Sequence, residues 1–211
     1  MELLIKTAIY VHAFFGGIGL LAGFASIIFQ KGSLIHKKAG KVFSVSMIVS
    51  SGISLPICWL PKHENPFLFL IGIFTIYLVL SGNRILLFKT KRQANYTDKL
   101  ISGTLLIGAI VQLILGIYYM LNQQYGGVLF LFFGTLALSL AIRDFKFFNS
   151  LDKSKIMNFH IGKMSGAFAA SITAFLVAGM RLEGLIYWIL PSILIGIFIA
   201  YWIRKTKIKS L

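Results

Sequence analysis

The stretch His36-Lys37-Lys38-Ala39-Gly40-Lys41 is a basic connection between the first two long apolar runs of this 211-residue chain. A weaker version, His160-Ile161-Gly162-Lys163, precedes a later apolar run. Short basic segments between apolar runs are typical of loops that join membrane-spanning helices. The first stretch is therefore the reference point for deciding how the chain crosses a membrane.

The composition is that of an integral membrane protein. Hydrophobic residues make up 57% of the chain and charged residues 13%, and the mean hydropathy is +0.84. Soluble domains usually contain about 25% charged residues. The net charge of +15 would favour a nucleic-acid partner for a soluble protein. In a membrane protein the same charge reflects topology, and we expect no nucleic acid.

Seven apolar runs are each long enough to cross the hydrocarbon core as a helix, which needs about 20 residues. The sequence therefore predicts an all-α, polytopic membrane fold in which residues 1–211 form a single membrane-embedded domain. The predicted transmembrane helices are 4–29, 36–60, 66–88, 98–121, 126–147, 158–180 and 184–204.

Lysine and arginine are unevenly divided between the two faces that these spans define. Of the 21 Lys and Arg residues, only Lys6, Lys62 and Arg181 fall on the face that holds the N-terminus. Lys and Arg accumulate in cytoplasmic loops. The pattern therefore predicts an N-terminus outside and a C-terminus inside, in a bacterial inner membrane, with anionic lipid attracted to the basic cytoplasmic face.

Spans five to seven weakly resemble spans one to three. The segment Ile71-Gly72-Ile73-Phe74-Thr75-Ile76-Tyr77 of span three corresponds to Ile195-Gly196-Ile197-Phe198-Ile199-Ala200-Tyr201 of span seven. The pattern predicts two parallel three-span repeats joined by span four, and parallel repeats occur in some transporters. The alternative is coincidence in a chain rich in Gly, Ile and Phe.

A small set of polar residues lies within the predicted spans or at their ends. Ionisable residues in a membrane span are costly to bury and often mark functional sites. Near helix ends they can instead form ion pairs, and Asp144 could pair with Arg84 or Arg143 for this purpose. Gln112, in the middle of span four, could form an interhelical hydrogen bond. The candidate ligand-binding residues are His12, His36, Asn83, Arg84, Gln112, Arg143, Asp144 and His160.

His36 and His160 begin helices on the same predicted face, and they are the candidate metal ligands. Two facing imidazoles would hold a b-type haem, and the same pair with Asp144 would suit zinc. No local zinc signature is present, and Cys58, the only cysteine, excludes a cysteine-based cluster. The neighbouring basic residues, which predict a wet interface rather than a buried slot, are Lys37, Lys38, Lys41 and Lys163.

Two blocks of the chain are similar to a known family. The first is His12 with the small residues after it, followed by Lys31-Gly32 and His36-Lys37-Lys38-Ala39-Gly40-Lys41-Val42-Phe43. The second is Arg143-Asp144, then His160-Ile161-Gly162-Lys163-Met164-Ser165-Gly166-Ala167-Phe168, running to Thr173-Ala174-Phe175-Leu176-Val177. They resemble a bacterial membrane-protein family, domain of unknown function 2306. Lys37 and Lys163 stand where that family more often has Arg, and Phe43 where it has Tyr. The resemblance implies no activity, but it raises the interest of His12, His36, Arg143, Asp144 and His160.

Three functions follow from these patterns. The leading one is transport or binding of a small solute or lipid-like molecule, in a cytoplasmic-side polar cluster that includes His36, His160, Arg143 and Asp144. The alternatives are a b-type haem electron carrier and a non-catalytic subunit that meets protein partners within the membrane. The sequence has neither a phosphate-binding loop nor a G-x-S-x-G elbow, and so a role other than that of an enzyme is favoured.

Overall fold

A computed structural model of the chain describes residues 2–91 and 93–208, with side chains as far as residue 205. Seven α-helices contain most of these residues, and the described part of the chain has no β-strand. The helices are α1 (Glu2–Ile28), α2 (Leu34–Ile57), α3 (Pro66–Arg84), α4 (Tyr96–Leu121), α5 (Gly127–Ser150), α6 (Ile156–Ala174) and α7 (Leu185–Ile208). The shorter helical segments are the 3₁₀ helices Ile85–Lys89 and Lys153–Lys155 and the π-helical segment Phe175–Gly179.

Each of the seven described α-helices, with its short extension where it has one, is long and apolar enough to cross a membrane. The prediction of an all-α chain with seven helices of spanning length is therefore confirmed. The observed helix ends lie within a few residues of the predicted ones. These lengths and compositions are those of a multi-pass membrane protein.

Local sequence signals explain where α2 and α4 begin. Gly32 has φ +83°, a conformation that favours glycine, and it turns the chain out of α1. The side chain of Ser33 then accepts a hydrogen bond from the backbone N–H of His36 and caps α2. At α4, Asn95 and Asp98 form a reciprocal capping box, in which each side chain accepts from the other residue's backbone N–H.

The chain divides into two compact units. Unit 1 comprises residues 1–79 and 165–197, and unit 2 comprises residues 80–164 and 198–211. Unit 1 thus contains α1 and α2 whole, whereas unit 2 contains α4 and α5 whole. The single domain and the parallel repeat stay predictions.

In unit 1, α1 packs against α2 through small residues. A methyl group added at Gly19 would lie 2.5 Å from the sulfur of Met47. One added at Gly23 would meet the ring of Phe168, which itself packs edge-on against Phe43 with ring centroids 6.2 Å apart. Glycine at these positions therefore allows the close approach on which helix packing in lipid depends.

In unit 2, α4 and α5 pack along a seam whose residues recur every three or four positions. The buried positions of α4 are Asp98, Ser102, Leu105, Ala109, Gln112 and Gly116. This spacing is the one that keeps a narrow face against an adjacent helix. Gly127 of α5 approaches the backbone of α4 so closely that an added Cβ would lie 2.7 Å from the carbonyl oxygen of Gly116.

We expect Gly127→Ala to destabilise the protein by about 1–3 kcal/mol, because the new methyl group meets backbone atoms that cannot rotate away. Gly126→Ala is the matched control, since a Cβ there has no atom within 4 Å. Thermal unfolding in detergent measures both effects. Equal melting temperatures for the two variants would contradict the close packing of α4 on α5.

Candidate functional site

A group of charged and polar side chains lies within unit 2, and we call it the ionic cluster. Its members are Arg84, Lys91, Asp98, Ser102, Asp144 and Lys163. They come from α3, α4, α5, α6 and the loop before α4. Sequence positions far apart are thus brought together by the packing of helical segments that belong to unit 2.

The deepest contact of the ionic cluster is the ion pair between Asp144 and Lys163. The two residues are 1% and 2% exposed, and Lys163 Nζ lies 2.7 Å from Asp144 Oδ1. The other carboxylate oxygen, Oδ2, accepts a hydrogen bond of 2.7 Å from Ser102 Oγ. The buried carboxylate therefore has its counter-charge at Oδ1 and a hydrogen bond at Oδ2.

The second carboxylate of the ionic cluster, Asp98, lies in the first turn of α4 and is 4% exposed. Its Oδ1 accepts from Arg84 Nε at 2.7 Å, and its Oδ2 accepts from Lys91 Nζ at 3.0 Å and from the backbone N–H of Asn95 at 3.1 Å. Arg84 also donates from Nη2 to Asn95 Oδ1 at 3.1 Å. Negative charge at the first turn of a helix is favoured, and this site has two cations as well.

A small cleft lies beside Asp98 and Lys163. Its volume is about 10 Å³, which is roughly the room that one water molecule needs. The residues that line it are Ser81, Arg84, Ile85, Phe88, Asp98, Ile101, Ser102, Phe148 and Lys163. The cleft therefore has a polar half that belongs to the ionic cluster and an apolar half.

Arg143 takes part through an aromatic ring. Its guanidinium carbon lies 5.4 Å from the centroid of the Phe159 ring, and Lys163 Nζ lies 5.5 Å from the same centroid. A ring face attracts cations, and so the exposed Arg143 and the buried Lys163 both lie near the ring of Phe159.

The three candidate histidines, His12, His36 and His160, are not members of the ionic cluster, and they share one kind of contact instead. In His12, His36 and His160 the ring Nδ1 lies 2.8–2.9 Å from a backbone carbonyl oxygen, which belongs to Ser50, Ser26 and Gly82 respectively. A carbonyl oxygen only accepts, and so each Nδ1 carries the proton. The other ring nitrogen, Nε2, is then the one that can bind a ligand or a proton.

His36 and Lys31 together fix the loop between α1 and α2. Lys31 Nζ donates to the carbonyl oxygens of Ser26, at 3.0 Å, and of Ile27. Burial lowers the pKa of the Lys31 ammonium. Because Ser26 also accepts from His36, the last turn of α1 is capped by two side chains from the stretch that follows it.

The haem and zinc hypotheses concern two histidines that belong to different units. His36 belongs to unit 1 and His160 to unit 2. Within unit 1, His36 contacts Ser26 of α1, and Ser26 follows His12 by 14 residues in that helix. His12 and the contact of His36 are therefore separated by about 21 Å along the axis of α1. Among the residues described, no three His, Cys, Asp or Glu side chains are arranged to hold a metal ion. Haem binding stays a prediction.

The remaining candidates have different surroundings. Asn83 is exposed, whereas Gln112 is 2% exposed. The expected interhelical hydrogen bond of Gln112 is not formed at Oε1, which has no hydrogen-bond partner in the described part of the chain. Cys58 is buried, and burial raises the pKa of its thiol.

The expectation about Lys163 is wrong, and four members of the ionic cluster were missed. Lys163 was expected in a wet interface, but it is buried, because Asp144 supplies the opposite charge that burial demands. The members not predicted as site residues are Lys91, Asp98, Ser102 and Lys163. Ser102 follows Asp98 by four residues and so lies on the same face of α4, a spacing that could have pointed to it.

Comparison with known proteins adds no assignment. The chain matches no protein-family model, no curated protein and no solved structure. The role of the ionic cluster is therefore argued from its own chemistry.

We expect Lys163→Met to destabilise the protein by about 3–5 kcal/mol, because it leaves the carboxylate of Asp144 buried without its counter-charge. Asp144→Asn should also destabilise the protein, because it leaves the ammonium group of Lys163 buried without its counter-charge. The double variant Asp144→Asn/Lys163→Met should return close to wild-type stability, since no charge is then left unpaired. Unfolding of the two single variants and the double variant in detergent, at one salt concentration, measures the three changes in the free energy of unfolding.

The exposed ion pair of Glu2 with Lys6 is the control for this comparison. Its side chains are 86% and 63% exposed, and its atoms lie 3.4 Å apart. Lys6→Met should change stability by less than about 1 kcal/mol. A Lys163→Met effect as small as that of Lys6→Met would show that the buried pair is not formed.

Proposed function

We propose that this chain is a transport protein of the bacterial cytoplasmic membrane that binds and moves a small solute or lipid-like molecule at the ionic cluster. The observation that carries the proposal is the burial of Asp144 and Lys163 within α5 and α6, which are both of membrane-spanning length. Ionisable residues in membrane spans commonly mark solute, ion or proton pathways. The resemblance to domain of unknown function 2306 is compatible with this proposal and adds no activity to it.

Energetics favours a working role for the buried pair over a purely structural one. Removing two charges from water costs several kcal/mol per ion, and well-packed apolar residues of similar volume are often as stable or more so. Apolar residues at positions 144 and 163 would be sufficient if their only role were to hold α5 against α6. Charged residues are needed, in contrast, if a solute or a proton replaces one of the two partners during transport.

The position of the ionic cluster along its helices suits a site that communicates with water. Asp98 lies in the first turn of α4, and Ser102, which contacts Asp144, lies one turn deeper, about 6 Å along the axis. The charges therefore run inward from the helix end to the buried pair. This is the geometry of an entrance followed by a binding position.

The distribution of Lys and Arg supports an orientation with the N-terminus outside and the C-terminus in the cytoplasm. In that orientation the ionic cluster opens to the cytoplasm, and the basic face around it attracts anionic lipid headgroups. A fluorescent protein fused after Leu211 should then fluoresce in cells, whereas a periplasmic reporter fused there should be inactive. The opposite result would mean that the ionic cluster opens to the periplasm.

We expect proteoliposomes of the wild-type chain to re-swell faster than empty liposomes after an osmotic shock with at least one small solute. The panel is potassium chloride, potassium nitrate and potassium acetate, each with valinomycin to carry the cation, together with glycerol, followed by light scattering. The double variant Asp144→Asn/Lys163→Met should lose the excess rate while remaining folded, because it removes the charges and leaves none unpaired.

The matched control is Glu2→Gln/Lys6→Met, which removes an exposed ion pair and should keep the wild-type rate. If the Asp144→Asn/Lys163→Met protein swells as fast as wild type, the buried pair is structural and the proposed site is wrong. If the wild-type chain accelerates none of the four solutes, transport of small solutes is rejected.

A further inference from the structure

We infer that an apolar groove between α1 and α2 binds one acyl chain of a membrane phospholipid. The groove has a volume of about 660 Å³, within the range of about 300–1,000 Å³ that is usual for ligand sites. It belongs to unit 1, and so its occupant does not depend on transport at the ionic cluster of unit 2. The residues that line it are Leu4, Ile5, Ala8, Ile48, Val49, Gly52, Ile53, Pro56, Ile57 and Leu60.

The inner end of the groove is closed by a contact between His12 and Ser50. The ring Nδ1 of His12 donates to the carbonyl oxygen of Ser50 at 2.9 Å, and Ser50 Oγ donates to the carbonyl oxygen of His12 at 2.9 Å. A Cβ added at Gly16, one turn further along α1, would meet Ser50 Oγ at 3.3 Å. A Cβ added at Gly52, within the groove, has no atom within 4 Å. The two helices therefore leave space between them only on the N-terminal side of the His12 contact.

The groove opens on a surface that faces hydrocarbon. None of its lining residues is buried, and every one of them is apolar. The two helices that form it, α1 and α2, are both of membrane-spanning length. Acyl chains, rather than water, surround such helices within the bilayer. The occupant that suits this groove is therefore hydrocarbon.

The length of the groove matches one leaflet of a bilayer. From Ile48 to Ile57 its lining follows α2 over nine residues, which is about 14 Å along the axis. The hydrocarbon core is about 30 Å thick, and so one leaflet contributes about 15 Å. Leu60, just beyond the end of α2, lies at the mouth of the groove. The groove thus runs from the helix end towards the middle of the membrane, as an acyl chain does.

The width of the groove favours an acyl chain over a helix of another protein or of a second copy. Its volume divided by its length gives a mean cross-section of about 47 Å². A helix with its side chains is about 10–12 Å across, which corresponds to a cross-section of about 80–110 Å². A helix could therefore only rest on the rim. A polymethylene chain is one CH₂ group wide and can enter.

The residues at the mouth of the groove suit a phospholipid headgroup. Trp59, next to Leu60, is 62% exposed, and tryptophan is enriched where membranes meet water. Lys62 and Glu64 follow in the same loop, and both are exposed. The ammonium group of Lys62 attracts a phosphate, while the carboxylate of Glu64 suits the ammonium of a zwitterionic headgroup. Phosphatidylethanolamine has both groups.

Native mass spectrometry of the full chain in detergent, after removal of co-purified lipid, tests the inference. The probe is phosphatidylethanolamine with two 16-carbon chains, and its binding should saturate at one lipid per chain. The same lipid with eight-carbon chains should bind at least tenfold more weakly, because a short chain cannot reach the inner half of the groove. This series uses only the wild-type chain and does not depend on how any variant folds.

Gly52→Phe should weaken binding of the 16-carbon lipid at least tenfold, because the ring fills the groove. Gly17→Phe is the matched control, since Gly17 is also an exposed helical glycine whose added Cβ has no atom within 4 Å, but it does not line the groove. Its affinity should equal that of wild type. Lys62→Gln should weaken binding about fivefold, the effect of one lysine near a phosphate.

Binding that never saturates, or equal affinities for the two chain lengths, would overturn the inference. Equal losses in Gly52→Phe and Gly17→Phe would overturn it too, since they would report a general change of the surface. A dimer of the wild-type chain that Gly52→Phe dissociates would show that a second copy occupies the groove instead. An unchanged affinity in Lys62→Gln would overturn the headgroup contact.

Discussion

The ion pair between Asp144 and Lys163 is the constraint on which the arrangement of unit 2 depends. It joins α5 to α6, and the hydrogen bond from Ser102 adds α4 to the same contact. A charge in this position is tolerable only when its partner is in place, because the alternative is an isolated ion in an apolar interior. The pair therefore specifies which faces of the three helices meet.

The rest of unit 2 is compatible with this requirement. Gly127 lets α5 approach α4 closely near the far end of the seam, while Ser102 and Asp144 meet near the other. Asp98, its capping box and its two cations fix the start of α4 one turn from the buried pair. Small residues thus set the distance between the helices, and charged residues set their alignment. A site built in this way is rigid around a cleft of fixed size.

The helices could be predicted because the number of consecutive apolar residues can be counted directly in the sequence. Each span is a continuous apolar run, and the boundaries carry local signals such as Gly32, Ser33 and Asn95. Asp144 and Arg84 could also be predicted as candidates, since ionisable residues in spans are rare. These inferences need only neighbours along the chain.

The partners in the site could not be predicted, because they depend on how helices pack. Lys163 lies in a basic stretch that is typical of a wet loop, and only the packing of α6 on α5 shows that it is buried against Asp144. His36 and His160 each donate from Nδ1 to a backbone carbonyl oxygen, a contact that only the packing of the helices shows. Sequence spacing contains no information about such carbonyl partners. Ser102 could have been found, since it follows Asp98 by four residues and so lies on the same face of α4.

The most direct test of the central claim is infrared difference spectroscopy of the wild-type chain against Asp144→Asn in detergent. A buried ion pair predicts that the wild-type protein shows the stretching bands of an ionised carboxylate that the variant lacks. A carbonyl band of a protonated carboxylic acid in their place would contradict the account, because Asp144 and Lys163 would then be a neutral pair.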